Sequence, residues 1–371
     1  MLTIRSFKDP HTGVSIHALG KAGANTGHNY FTAMTWLSDS RRLVLYTDID
    51  ETKMSVCVAA DLQSGTAETV VERVEWARGL VSPQDRFYYY EGPLIHEYDL
   101  RTGASRTVCT LAEDAVVYGP LSITNDGRTM GIYWREGDAW VIGTVDTETG
   151  SLTEAARPSF AEPYPVANHA MVNPEDGRLV FFAHEGKTEH IPDRIYMADA
   201  VGGQIRSGHR QARLDTGAHV EYVGHEMWAP NGEHLYFVKY PQSPLKPTGI
   251  YRVHKVTGEA EFVNGDYAYW HVSLSPDGRW AVADTIESGE TSKIVLIDLR
   301  DRSSRLLCEQ PMWAEHPGHP HPSFSPDSRK ISFTFADENR HLWVGVIERT
   351  ADSEAADESG RRIEAKQGEE R

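Results

Sequence analysis

The chain has 371 residues, 40% of them hydrophobic and 25% charged, with 54 acidic against 37 basic side chains and a formal net charge of -17. An acidic chain with no stripe of Lys and Arg is a poor partner for nucleic acid or an anionic membrane, whose phosphates require clustered cations. The three scattered cysteines, Cys57, Cys109 and Cys308, argue against a disulfide framework and a zinc ribbon.

Residues 1–8 lack the basic, apolar, then small order of a signal peptide, and no apolar run is long enough to span a membrane, so a cytoplasmic location is expected. If the ligand is a polyanion, its binding face must reverse the global sign locally through a bound cation and a few arginines.

In chain order, one phrase recurs seven times: an apolar residue, Ser-Pro-Asp-Gly or a degenerate form of it, a basic residue, then alternating apolar residues. The copies are 37–40, 82–85, 124–127, 173–177, 229–232, 275–278 and 325–328. Pro presets φ, Asp bonds back to the backbone and Gly accepts a left-handed conformation, which are the needs of a tight turn between two strands. The following segments, such as Leu43-Val44-Leu45-Tyr46 and Leu235-Tyr236-Phe237-Val238, are β-branched and aromatic, as strands are.

A second turn of the type Asp-x-x-Thr-Gly follows in several copies, at 99–103, 146–150 and 254–258 (the last with His254 first), which gives four strands per repeat. Repeats of about 40 to 55 residues, each a small sheet unable to bury both faces alone, are the signature of propeller blades. The expectation is an all-β chain: a seven-bladed β-propeller of four antiparallel strands per blade over residues 1–348. Residues 13–17 are expected to close the ring by pairing with 343–347. Residues 349–371, polar and charged, are read as a disordered tail.

Histidines fall just before the turn phrases, where the innermost strands of a propeller begin. They are His225, His271 and the cluster His316, His319 and His321, with His28 and His169 at comparable positions. A lone histidine is usually a hydrogen-bonded core or surface group. Three within six residues, interleaved with prolines, point instead to a shared metal. Residues two apart on a strand face the same way, so His319 and His321 can converge, with His316 returning from the preceding loop. Neutral imidazoles without cysteine suit a catalytic site for a divalent transition metal. No Gly-x-Ser-x-Gly, His-Glu-x-x-His, P-loop or Rossmann glycine pattern is present.

Several of these motifs together resemble the oligogalacturonate lyases, cytoplasmic seven-bladed propellers that degrade short pectic oligosaccharides. They are Asp9-Pro10-His11-Thr12-Gly13, His28-Asn29-Tyr30-Phe31-Thr32, Asn168-His169, Phe182-Ala183-His184-Glu185-Gly186, Asp193-Arg194-Ile195-Tyr196, Gly224-His225-Glu226-Met227-Trp228 and His319-Pro320-His321-Pro322-Ser323-Phe324. The resemblance spans all but the tail.

It implies Mn2+, or another divalent metal, on His271, His319 and His321, with His316 standing where the family has glutamine. It implies His225 as general base and Arg194 on the substrate carboxylate, with His169, His184 and Arg210 toward the sugar. Arg210 or Arg213 is the alternative to Arg194, because the segment from 194 to 225 is longer than the family pattern. The implied reaction is β-elimination on short oligogalacturonides, unsaturated digalacturonate included. A lyase of the same mechanism on a different uronic-acid oligosaccharide and a non-catalytic binding module are the rival readings. The partner is then an acidic oligosaccharide, with no nucleic acid and no membrane.

Overall fold

The computed structural model describes residues 2–286 and 289–349. It contains 28 strands in seven sheets arranged as the blades of a propeller. Among the described residues, no helix is long and apolar enough to cross a membrane.

Every repeat found in the sequence is one blade, and every turn phrase joins the innermost strand of a blade to the next. In the fourth position of six phrases the backbone is left-handed: Gly127, Gly232 and Gly278, and also Ser40, Asp85 and Ser328. A non-glycine residue is rare there. The structure explains the two serines. Ser328 Oγ accepts the Asp277 N–H of the preceding blade (3.1 Å), and Ser40 Oγ accepts the Asp327 N–H (3.0 Å).

Comparable bonds link Ser38 N to Asp85 Oδ1, Gln84 Nε2 to Asp126 O, Asn125 N to Pro174 O and Asn173 Nδ2 to Gly232 O. The turns thus clasp one another around one end of the ring, and the copies that look degenerate in sequence are clasp residues.

Seven apolar clusters fill the seven spaces between neighbouring blades. Trp134, Leu121 and Tyr88 lie between the second and third blades, Phe181, Phe237 and Trp228 between the fourth and fifth, and Trp280, Phe333 and Trp343 between the sixth and seventh. Each fully buried large side chain contributes about 1.5–3 kcal/mol, and no blade can be withdrawn without exposing two such clusters.

An amino-terminal strand closes the ring as expected, but it pairs through residues 17–19 and not 13–17. Strand Ser15–Gly20 pairs antiparallel with Leu342–Glu348, with His17 opposite Val346 and Leu19 opposite Val344. Strand Thr3–Lys8 pairs outside it, so the closing blade has a fifth strand. Gly20 is required at this seam, because a Cβ would collide with the Trp343 ring.

In the first blade the innermost strand is reduced to two bridges, Gly27 with Tyr46 and Trp36 with Leu43. The intervening residues loop into the channel, tied by Tyr46 Oη to Asn29 Oδ1 (2.7 Å), Asn29 Nδ2 to Met34 O (2.8 Å) and Trp76 Nε1 to His28 O (2.9 Å). The tail expectation falls outside the described residues except at Arg349, whose guanidinium stacks 4.2 Å from the Trp280 ring.

Candidate functional site

The histidines gather at the end of the ring opposite the turn clasp. His169, His225 and His271 lie on the innermost strands Val166–Val172, Val223–Trp228 and Tyr269–Leu274, each within a break of register that marks a β-bulge. A bulge re-aims a side chain that strict alternation would send into the sheet packing. His169 (φ 50°) and His225 (φ 55°) also take left-handed backbone. Strain of this kind, of order 1–3 kcal/mol per residue, persists where the surroundings enforce it, and it clusters at functional sites.

His319 and His321 correct one expectation. They are not two apart on a strand, since the strand that follows them is only Ser323–Phe324. They converge because the preceding loop bends, with left-handed backbone at His321 (φ 47°).

His271, His319 and His321 each offer a ring nitrogen, and these nitrogens all lie within 4.8 Å of one another. His316 stands beside them without joining that set, its ring 4.0 Å from that of His319 and 5.0 Å from that of His321. Buried Nε2 of His321, Nδ1 of His319 and Nδ1 of His316 have no hydrogen-bond partner in the protein. An unsatisfied buried polar group costs about 1–3 kcal/mol, and the His319 and His321 rings, converging with His271, offer the donors a divalent cation needs. The residues therefore fit a metal.

A residue absent from the sequence reading positions two of the ligands. Asp284, completely buried on Trp280–Thr285, receives His271 Nδ1 on both carboxylate oxygens (2.9 Å), the His271 backbone N–H (2.7 Å) and the His321 backbone N–H (3.2 Å). This leaves His271 Nε2 for the metal, the carboxylate–histidine arrangement that fixes ring and tautomer in metal sites. Burial pushes the Asp284 carboxyl up to about 7, while the backbone N–H of His271 pulls the other way.

Burial lowers the pKa of every histidine here: to about 4 for His28, to about 2 for His316, well below the ordinary value for His225, His271 and His321, and downward for His169, His184 and His319. The imidazoles are thus neutral at pH 7, as metal ligands and a general base must be.

The linkage has a definite sign. Below about 6.5 the unfolded chain takes up protons that the folded chain refuses, so stability falls as pH falls. For His28 alone the loss runs from about 6.5 to 4 at about 1.4 kcal/mol per pH unit. Denaturant midpoints should drop steadily over that window; a flat profile would show that these rings titrate normally.

Beside the metal group is a small open pocket lined by Tyr30, Phe31, Thr32, Pro120, His169, Met171, Arg194, His225 and Glu226. The His225 ring is 4.1 Å from that of His271, and its Nδ1 is 3.2 Å from Tyr240 Oη. Gly224 makes that contact possible, because a Cβ there would collide with the Tyr240 hydroxyl.

Arg194 reaches the cavity but is not free. Nε donates to Glu226 Oε1 (2.7 Å), and Nη1 is 3.1 Å from Glu185 Oε2. Its backbone N–H is anchored by Gln211 Oε1 (2.7 Å). One cation faces two carboxylates, so the local reversal of sign falls to the metal more than to Arg194.

His169 lines the cavity, its Nε2 3.7 Å from Glu185. Two residues expected near the sugar do not. His184 is buried away from the pocket, stacked on Phe160 (3.7 Å) with its Nε2 on Tyr164 O (2.8 Å). Arg210 is solvent-exposed in the segment leading from the fourth to the fifth blade, and Arg213 is held by Pro192 O (2.8 Å).

No protein-family model matches the chain. The oligogalacturonide lyase of Pectobacterium atrosepticum is 23% identical over 372 aligned residues, 90% of this chain and 93% of that protein. The oligogalacturonate lyase of Dickeya dadantii is 22% identical over 378, or 90% and 92%. A solved oligogalacturonate lyase in complex with manganese matches with a TM-score of 0.82 at 22% identity, over 95% of this chain and 97% of that one. The oligogalacturonate lyase of Vibrio parahaemolyticus matches at 0.81 and 21%, over 95% and 98%. Along nearly its whole length, the chain is a distant relative of the oligogalacturonate lyases and shares their propeller.

Proposed function

We propose that the protein is a metal-dependent lyase that cleaves short oligogalacturonides, unsaturated digalacturonate included, by β-elimination. One observation carries this reading: a neutral, strained imidazole, His225, stands beside a three-histidine metal group in a cavity that Arg194 also reaches. The whole-length likeness to oligogalacturonate lyases supports the substrate class.

The proton removed in β-elimination is on the carbon bearing the carboxylate, and it is weakly acidic because its loss adds charge beside an existing anion. A divalent cation held by His271, His319 and His321, with His316 beside them, supplies the positive charge that offsets this build-up. His225 takes the proton. The His225 Nδ1 lies 3.2 Å from Tyr240 Oη, a contact that holds the ring in place.

Arg194, kept rigid and cationic by Glu226 and Glu185, orients the substrate carboxylate. Three free, buried cysteines suit a cytoplasmic location.

The test is ultraviolet absorbance of an unsaturated product after mixing the purified protein, manganese and a panel of uronic-acid oligosaccharides. Absorbance should rise with oligogalacturonides and stop on addition of a chelator. No product from any member of the panel would overturn the lyase reading, and product only from another uronide would change the substrate.

A further inference from the structure

We infer that Tyr30 is the acid of this site, donating its phenolic proton to the sugar oxygen that departs when the chain is cut. The inference rests on the lyase reading and adds to it the partner that elimination needs, since a sugar alkoxide leaves poorly unless it is protonated.

Tyr30 reaches the cavity because the first blade lacks a continuous innermost strand. The loop that replaces it places the ring 4.5 Å from His321, 5.9 Å from His169 and 6.3 Å from His271, centroid to centroid. It lines the same cavity as His225.

Several other tyrosines use their hydroxyls structurally. Tyr46 bonds Asn29, Tyr133 bonds Gly119, Tyr240 meets His225, Tyr251 bonds Pro247 and Tyr269 bonds Asn264. Among the described residues, the Tyr30 hydroxyl has no hydrogen-bond partner. A buried phenol normally finds one, so an unpaired hydroxyl opening into a cavity is placed for a group that enters it.

The other cavity residues serve less well as acids. Arg194 is committed to two carboxylates, and Glu226 is taken up by its ion pair with Arg194 at 2.7 Å. Burial favours neutral His169, and Thr32 is an aliphatic alcohol, a far weaker acid than phenol.

The step balances. His225 removes the proton, and the electron pair left on carbon becomes the second bond of the new carbon–carbon double bond as the carbon–oxygen bond breaks. The leaving oxygen keeps the bonding pair and takes the proton of Tyr30. The tyrosinate regains a proton from the His225 imidazolium or from water, and no oxidant or reductant is involved.

The test uses Tyr30→Phe in the full chain with manganese, its metal content and melting temperature being measured first. Turnover of an oligogalacturonide should fall by about 10²- to 10⁴-fold with a small change in KM. A uronide carrying 4-nitrophenolate at the position cleaved, which leaves without protonation, should turn over within about tenfold of the unsubstituted enzyme. Exchange of the substrate proton with deuterium oxide should survive in Tyr30→Phe and vanish in His225→Ala.

Equal loss with both leaving groups, or loss of exchange in Tyr30→Phe, overturns the role of Tyr30. Failure of the unsubstituted enzyme on both substrates sinks the lyase reading instead.

Discussion

His225→Ala should lower the rate of unsaturated product formation by about 10²- to 10⁴-fold, the contribution of a positioned general base, while bound metal stays as in the unsubstituted protein. The effect is expected to be large because nothing nearby can replace it. His169 is across the cavity beside Glu185, the nitrogens of His271 are committed to Asp284 and the metal group, and Tyr240 touches the same ring from behind. The backbone at 225 is left-handed, so His225→Asn is the companion variant, asparagine tolerating that region better than alanine. If both variants keep the original turnover, another group removes the proton.

The ring was legible in the chain because Pro, Asp and Gly carry their conformations with them, and seven turn phrases at blade spacing leave few other folds. Ser40 and Ser328 read as weak copies, since their value lies in accepting a hydrogen bond from a turn in another blade. The clustering of His319 and His321 was legible from their spacing. The reason given for their convergence was not correct, because a loop with left-handed backbone, not strand alternation, aims them.

Asp284 gave no local signal beyond one acid in an otherwise apolar and hydroxyl-bearing strand, and its partners are 13 and 37 residues away. Tyr30 lay hidden for a similar reason: its place in the cavity comes from a missing strand, and an aromatic residue near a histidine reads as core. His184 and Arg210 were drawn toward the sugar by family pattern alone. Which face of a blade a side chain takes depends on packing such as the Phe160 stack, which spacing does not encode. The two carboxylates on Arg194 come from different blades and become evident only once those blades are side by side.

The account stands or falls on one cation at the mouth of the ring. In a chain of net charge -17 with Arg194 already neutralised, that cation is the main positive feature able to receive a uronate carboxylate. Removing two ligands from a three-histidine group leaves too few donors to hold it. The variant His319→Ala/His321→Ala should therefore fold, lose its metal and lose activity together, since the blade clusters do not depend on either ring.

Elemental analysis of protein purified without chelator and equilibrated with manganese measures this directly. The unsubstituted chain should carry about one metal ion and the double variant almost none; equal metal in both, or none in either, would contradict the site.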